Sequence, residues 1–171
     1  MDIEKIREQA DNREIILEAV RESGKYLDYA SDELKNDREI ALEAVKNDGE
    51  ALEFVSNELK DDREIVYEAV KRNAWTICYA SNRLKADREI ILEGVKQNGQ
   101  VLYYASQELR DDYEVVLEAV TQKGLIYKYA SFRLREILEI AVAAMKQDKR
   151  AYDFMSKEMQ QNEAIQELKN S

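Results

Sequence analysis

The chain has no histidine, no proline and a single cysteine in 171 residues. Without histidine it lacks the commonest general base, the commonest zinc ligand and the usual partner of a serine or cysteine nucleophile. Without proline few turns are fixed by a ring, and no helix is kinked by one. One cysteine allows no internal disulfide, which fits a reducing cytosol. No run approaches the roughly 20 apolar residues that a membrane helix needs. The opening MDIEKIREQADN is polar and mixed in charge, unlike a secretory signal. A cytoplasmic location away from membranes is therefore expected.

Positive charge is outnumbered, with 26 Lys and Arg against 36 Asp and Glu. The formal net charge is −10. Direct nucleic-acid binding is disfavoured, because phosphates are neutralised by excess Lys and Arg. A basic partner, or a groove that normally holds nucleic acid, would be attracted instead.

What the chain does have is one unit copied about six times. Ser31, Ser56, Ser81, Ser106, Ser131 and Ser156 keep a strict 25-residue spacing. Leu34, Leu59, Leu84, Leu109 and Leu134 keep it too, with Met159 as the sixth. An aromatic recurs at Tyr29, Phe54, Tyr79, Tyr104, Tyr129 and Phe154. No insertion breaks the register, which a single globular fold would not maintain. The apolar fraction, 44%, suffices for a core shared by stacked copies.

Each copy predicts two short helices. The first, helix A, starts after Asn12, Asp37, Asp62, Asp87 or Asp112, whose side chains can cap free N–H groups. Glu14 and its equivalents follow in the first turn, where the helix dipole favours anions. Gly24, Gly49, Gly99 and Gly124 suit a left-handed residue at the end of helix A. Ala74 and Lys149 stand in their place in two copies, which predicts a looser turn there. Helix B is expected to run about ten residues from the Gly to the next Asp. Leu27 and Ala30, or Leu52 and Val55, give it helical spacing. The predicted fold is an all-α solenoid of about six 25-residue antiparallel helical hairpins forming one domain over 1–171. The repeat core is 12–160, and short capping helices close it at 1–11 and 161–171.

The unit D-R-E-I-x-L-E-A-V-K-x-x-G…Y-A-S-x-x-L resembles a tandem helical-hairpin repeat family described as a domain of unknown function. That family occurs in bacterial effector-like proteins and in microbial eukaryotes. The segments carrying the resemblance are DREIALEAVKNDG (37–49), DREIILEGVKQNG (87–99) and the YAS of Tyr79, Ala80 and Ser81. It spans 12–160 and implies the fold, an interaction role and, as a variant of location, delivery into a host cell. It brings no catalytic residues. The chain departs from the pattern at Tyr113, usually Arg, and at Ile137-Leu138, usually Asp-Arg.

Several residue sets invite a functional reading. The recurring Ser has no His beside it and is read as a small residue bonding the carbonyl one turn earlier. The pairs Glu39/Glu43, Glu64/Glu68, Glu89/Glu93 and Glu114/Glu118 form an acidic stripe, with Arg21, Lys46, Lys71 and Lys96 placed to offset it. Arg13, Arg38, Arg63 and Arg88 begin helices, where positive charge is unfavourable. A ladder to Asp or Glu of the adjacent copy is the expected compensation. No metal or cofactor is called for.

Tyr79, Ala80 and Ser81 read as scaffold, as do their equivalents. The varying positions are more informative. A helical wheel places the 25, 28 and 32 series opposite the core. They turn apolar in copies three to five, at Trp75, Cys78, Tyr103, Leu125 and Phe132, with Lys128 among them. An apolar patch on a charged surface marks a contact site. In the fifth copy helix B is expected to run straight into the next helix A. Segment 132–138 then makes the chain either a monomer or a homodimer through that surface. The expected function is a non-catalytic scaffold that binds a protein, with aromatic anchors inside an acidic rim. The alternative is an acidic inhibitor occupying a basic groove of a target.

Overall fold

A computed structural model describes residues 2–171. Met1, part of the expected 1–11 cap, lies outside the described residues. Among these the protein is all-helical, and its architecture is a solenoid of tandem hairpins. The helices are α1 (Ile3–Glu8), α2 (Arg13–Glu22), α3 (Asp32–Lys35), α4 (Arg38–Asn47), α5 (Arg63–Arg72), α6 (Arg88–Gln97), α7 (Tyr113–Gln122), α8 (Phe132–Arg135), α9 (Leu138–Gln147), α10 (Lys157–Gln160) and α11 (Glu163–Asn170).

Helix A forms as the caps dictate. Asn12 accepts from the Ile15 N–H, Asp62 from Glu64 and Ile65, and Asp87 from Glu89 and Ile90. Each of these helices has ten residues, marginal in isolation, and buries one face. On α4 that face is Ile40, Ala41, Ala44 and Val45, all fully buried. Each large aliphatic side chain buried in this way contributes about 1.5–3 kcal/mol.

Helix B is not one α-helix. It is a 3₁₀ segment, an extended break and a single turn. The 3₁₀ segments are Gly24–Tyr29, Gly49–Glu53, Ala74–Tyr79, Gly99–Tyr103, Gly124–Tyr129 and Lys149–Phe154. In the first copy the break falls at Ala30 and Ser31, with ψ of 154° and 158°. It exists because the Ser N–H leaves its own helix. Ser31 donates to the Ala10 carbonyl at 2.8 Å, and Ser56, Ser81, Ser106 and Ser131 donate to carbonyls of Lys35, Lys60, Lys85 and Arg110. The Ser hydroxyl then caps the following turn, accepting from Leu34, Leu59, Leu84, Leu109, Leu134 or Met159. The serine is thus a cap and a rung rather than a back-bonding helix residue.

The glycines are not left-handed; no glycine has positive φ. They are needed for close approach. A Cβ on Gly24 or Gly124 would overlap the carbonyl oxygen of Ala44 or Ala144 in the next helix A. The chain reverses instead at the preceding residue, extended at Ser23, Asp48, Asn73, Asn98, Lys123 and Asp148. Ala74 and Lys149 follow the same backbone path, so their turns are no looser. In the fifth copy α8 stops before Ile137, which is extended (φ −89°, ψ 117°), so helix B does not run into α9.

The chain divides into two compact units, Met1–Leu84 and Lys85–Ser171. In the first, α2, α4 and α5 lie side by side, with their 3₁₀ segments forming a second layer. Helix α1 packs on α2 and Gly24–Tyr29 and buries Ile6 completely. In the second, α6, α7 and α9 form the same layer over Gly99–Tyr103, Gly124–Tyr129 and Lys149–Phe154. Helix α11 packs on α9 and buries Ile165.

Candidate functional site

The acidic stripe is largely built into the scaffold. Arg13 reaches Asp37 at 2.7 Å and Glu39 at 2.5 Å. Arg38 reaches Asp62 and Glu64, and Arg88 reaches Asp112 and Glu114, at nearly the same distances. The expected ladder to the next copy is present. Each guanidinium fork holds two carboxylates, whose hydrogen bonds push the arginine pKa up. Glu43 pairs with Arg21 of the preceding copy at 3.1 Å, so the offset runs between copies rather than along one helix. Glu93 and Glu118 accept from Gln97 and Gln122. Glu68 and Glu93 are half-buried, whereas Glu64 and Glu89 are exposed.

Tyr113 and Ile137, which read as separate departures in the sequence, are two halves of one rung. The Tyr113 hydroxyl donates to Glu139 at 2.5 Å, which pushes the phenol pKa up. Ile137 occupies the position of the Asp that an arginine would have held, and α9 has no side-chain cap. A second set of rungs joins Ser81 with Arg83 to Asp61, and Ser131 with Arg133 to Asp111. The serine bond, aided by the arginine, holds both Asp pKa values below the usual carboxylate range.

The varying positions lie where the wheel put them. Of the eighteen residues in the 25, 28 and 32 series, all are exposed except Cys78, Gln100 and Leu125, which are half-buried. In the first unit Trp75 is 43% exposed, and Cys78 is half-buried. Nearby, Lys60 donates to the Glu53 carbonyl at 2.8 Å, and partial burial lowers its pKa. Burial raises the Tyr79 phenol, helped by its bond to Glu53. Lys25 is paired with Glu50 at 2.7 Å.

In the second unit the surface is aromatic and continuous. Tyr103, 50% exposed, stands edge-on to Tyr104 and to Tyr129, with centroids 5.1 Å apart in both pairs. Such pairs add about 0.5–1.5 kcal/mol each beyond burial. The Lys128 ammonium lies 4.9 Å from the Tyr129 ring and 5.4 Å from the Phe154 ring. Arg135 donates to the Phe154 carbonyl and stacks 5.6 Å over Phe132, which is 69% exposed.

Sequence reasoning assigned Tyr104, Tyr129 and Phe154 to the scaffold, but they belong to this face, half-buried or exposed. Their recurrence in every copy makes them read as scaffold, although in the first copy too the ring at this position, Tyr29, contacts Tyr26 at 6.3 Å.

The charge of this face changes sign between the units. The nine varying positions of the first carry Lys25 against Asp28, Asp32, Glu50 and Glu53. Those of the second carry Lys128, Arg150 and Lys157 against Asp153 alone. Over whole units, 21 acidic and 13 basic residues give −8, then 15 and 13 give −2. The helix A side of the second unit has also shed charge. A groove of about 520 Å³ there is lined by Leu117, Thr121, Val142 and Ala143, among others. Thr121 and Ala143 occupy positions that hold Arg or Lys, and Glu, in earlier copies.

This arrangement defines an all-α tandem-repeat protein whose junctions are bonded alike and whose outer faces vary. The sequence profile described as Domain of unknown function (DUF4116) matches 12–60, 38–85, 62–110, 87–135 and 112–160. The chain belongs to that family. No curated protein and no solved structure matches the chain. No described helix is long and apolar enough to cross a membrane.

Proposed function

We propose that this protein is a non-catalytic interaction scaffold that captures a protein partner through the aromatic face of its second unit. The supporting observation is the run Tyr103, Tyr129, Phe154 and Phe132, knitted by ring and cation contacts yet open to solvent. Aromatic side chains are favoured anchors, and those already held in place lose little freedom on binding. Trp75 and Cys78 form an accessory contact on the first unit. The single thiol suits a reducing compartment, the cytoplasm or that of a host cell. Self-association through 132–138 is a variant, since Phe132 and Leu138 are both exposed.

A second reading, an acidic inhibitor of a basic groove, draws on the −8 of Met1–Leu84. Partner capture by wild type and by Tyr103→Ala/Phe132→Ala, each at low and high salt, tests both. The aromatic reading expects capture to fall in the double variant with helicity unchanged. Capture that ignores the variant but falls steeply with salt would overturn it in favour of the acidic one. A dimer in sedimentation that the double variant abolishes would identify the partner as a second copy.

A further inference from the structure

The aromatic face of the second unit holds two cations that have no carboxylate. Among the described residues Lys128 makes no ion pair; its neighbours are the Tyr129 and Phe154 rings. Arg135 gives one N–H to the Phe154 carbonyl, its Nε is buried without an acceptor, and its guanidinium lies over Phe132. The cations of the rungs are paired instead. Arg13, Arg38 and Arg88 each hold two carboxylates, Arg83 and Arg133 hold Asp61 and Asp111, and Lys25 holds Glu50. Arg7 over Tyr29 and Lys169 over Tyr152 also meet a ring without a carboxylate; Lys128 and Arg135 differ in lying together beside the varying positions where basic residues outnumber acidic ones.

Resting on the interaction reading above, we infer that this face takes an acidic segment of the partner protein: an aromatic or aliphatic side chain seated against Tyr103 and Phe132, with a flanking carboxylate on Lys128. The rings already restrict the Lys128 ammonium, so little side-chain freedom remains to be lost when the carboxylate arrives. A short acidic segment fits better than a nucleic acid. Stacking on Tyr103 and Phe132 would suit bases, but a polyphosphate approaches a chain of net −10 and gains few cations for many charges. A peptide brings one or two carboxylates to the place where the local balance is positive.

Panning random dodecapeptides against the full chain, Tyr103→Ala/Phe132→Ala and Lys128→Glu in parallel tests this. The expected outcome is a wild-type pool with Asp or Glu beside Phe, Tyr, Trp or Leu. Its best peptide should lose about tenfold or more in affinity for Lys128→Glu, and most of its binding to the double aromatic variant. Wild-type peptides that bind Lys128→Glu equally well but not the aromatic variant would overturn the acidic inference and leave the docking face standing. Equal binding to all three proteins, or no enrichment, would overturn both. A uridine dodecamer that binds more tightly than any peptide, and is lost in Lys128→Glu, would replace the acidic segment with a nucleic acid.

Discussion

At the 28 position and its equivalents the first unit reads Asp28, Glu53 and Cys78, and the second reads Tyr103, Lys128 and Asp153. Beneath these residues the two units are built alike. Leu52 and Leu102 are buried to the same degree, and the Arg38 and Arg88 rungs have the same geometry. The inward residues and the rungs therefore hold the fold. The outward positions carry no such duty, and one set can be acidic while the other is aromatic and cationic.

Five substitutions, in three comparisons, probe how far this likeness extends. The largest effect is expected where the scaffold is tightest. Gly24→Ala in the first unit and Gly124→Ala in the second should each cost about 1–3 kcal/mol in urea denaturation, because the new methyl meets a backbone carbonyl that cannot turn aside. Unequal costs would show that the two junction layers are not equivalent.

A smaller effect should separate the units by pH. Tyr127 of the second unit is fully buried, donates its hydroxyl to the Arg135 carbonyl, and is pushed up to about 12 by burial. Leu27, Leu52 and Ile77 take that position in the first unit. A phenol with a raised folded pKa contributes fully below about pH 10 and loses that contribution as pH climbs toward 12. The second unit should therefore weaken in that window, by on the order of 1–2 kcal/mol. Tyr127→Phe should cost about 1 kcal/mol at neutral pH for the lost hydrogen bond, yet flatten the alkaline decline. An unchanged alkaline slope in Tyr127→Phe would refute this assignment.

The smallest effect distinguishes an ionic rung from a neutral one. Arg38→Ala should lower Tm slightly at low salt and negligibly at high salt, because its pairs are exposed and screened. Tyr113→Phe removes a neutral donor to Glu139, so its effect should depend less on salt. Matching salt dependence would mean the Tyr113 rung is not the substitute that its geometry suggests.

Much of this was legible in the sequence. The 25-residue register gave the hairpins, the Asp caps gave the start of each helix A, and the misplaced Arg gave the ladder. The 25, 28 and 32 series proved to be surface because any helical form of that segment turns them outward. The form itself was hidden. Ser31, Ser56 and Ser81 break helix B by donating to carbonyls one copy earlier, and nothing in the local pattern of Leu27 and Ala30 registers a bond made so far along the chain. The glycines misled for the same reason, since their close neighbour is the next helix and not their own turn. The aromatic face was half visible: Tyr103 and Phe132 stood out by varying, whereas Tyr129 and Phe154 were masked by recurring.

The spacing of the rungs has a consequence for how such a protein changes over generations. The junctions reuse groups a fixed distance apart in the chain: serine N–H to a carbonyl 21 residues earlier, glycine against an alanine 20 residues later, arginine to an aspartate 24 residues on, with substitutes at Ala74, Lys149, Tyr113 and Ile137. Recombination that adds or removes a block of twenty-five codons restores all three together. Loss or gain of any other length puts all three out of step. Positions 74 and 94 show the same discipline in the sequence, where alanine and glycine have exchanged places. Copy number is thus the inexpensive variable of this gene, and the length of a copy is the one it cannot alter.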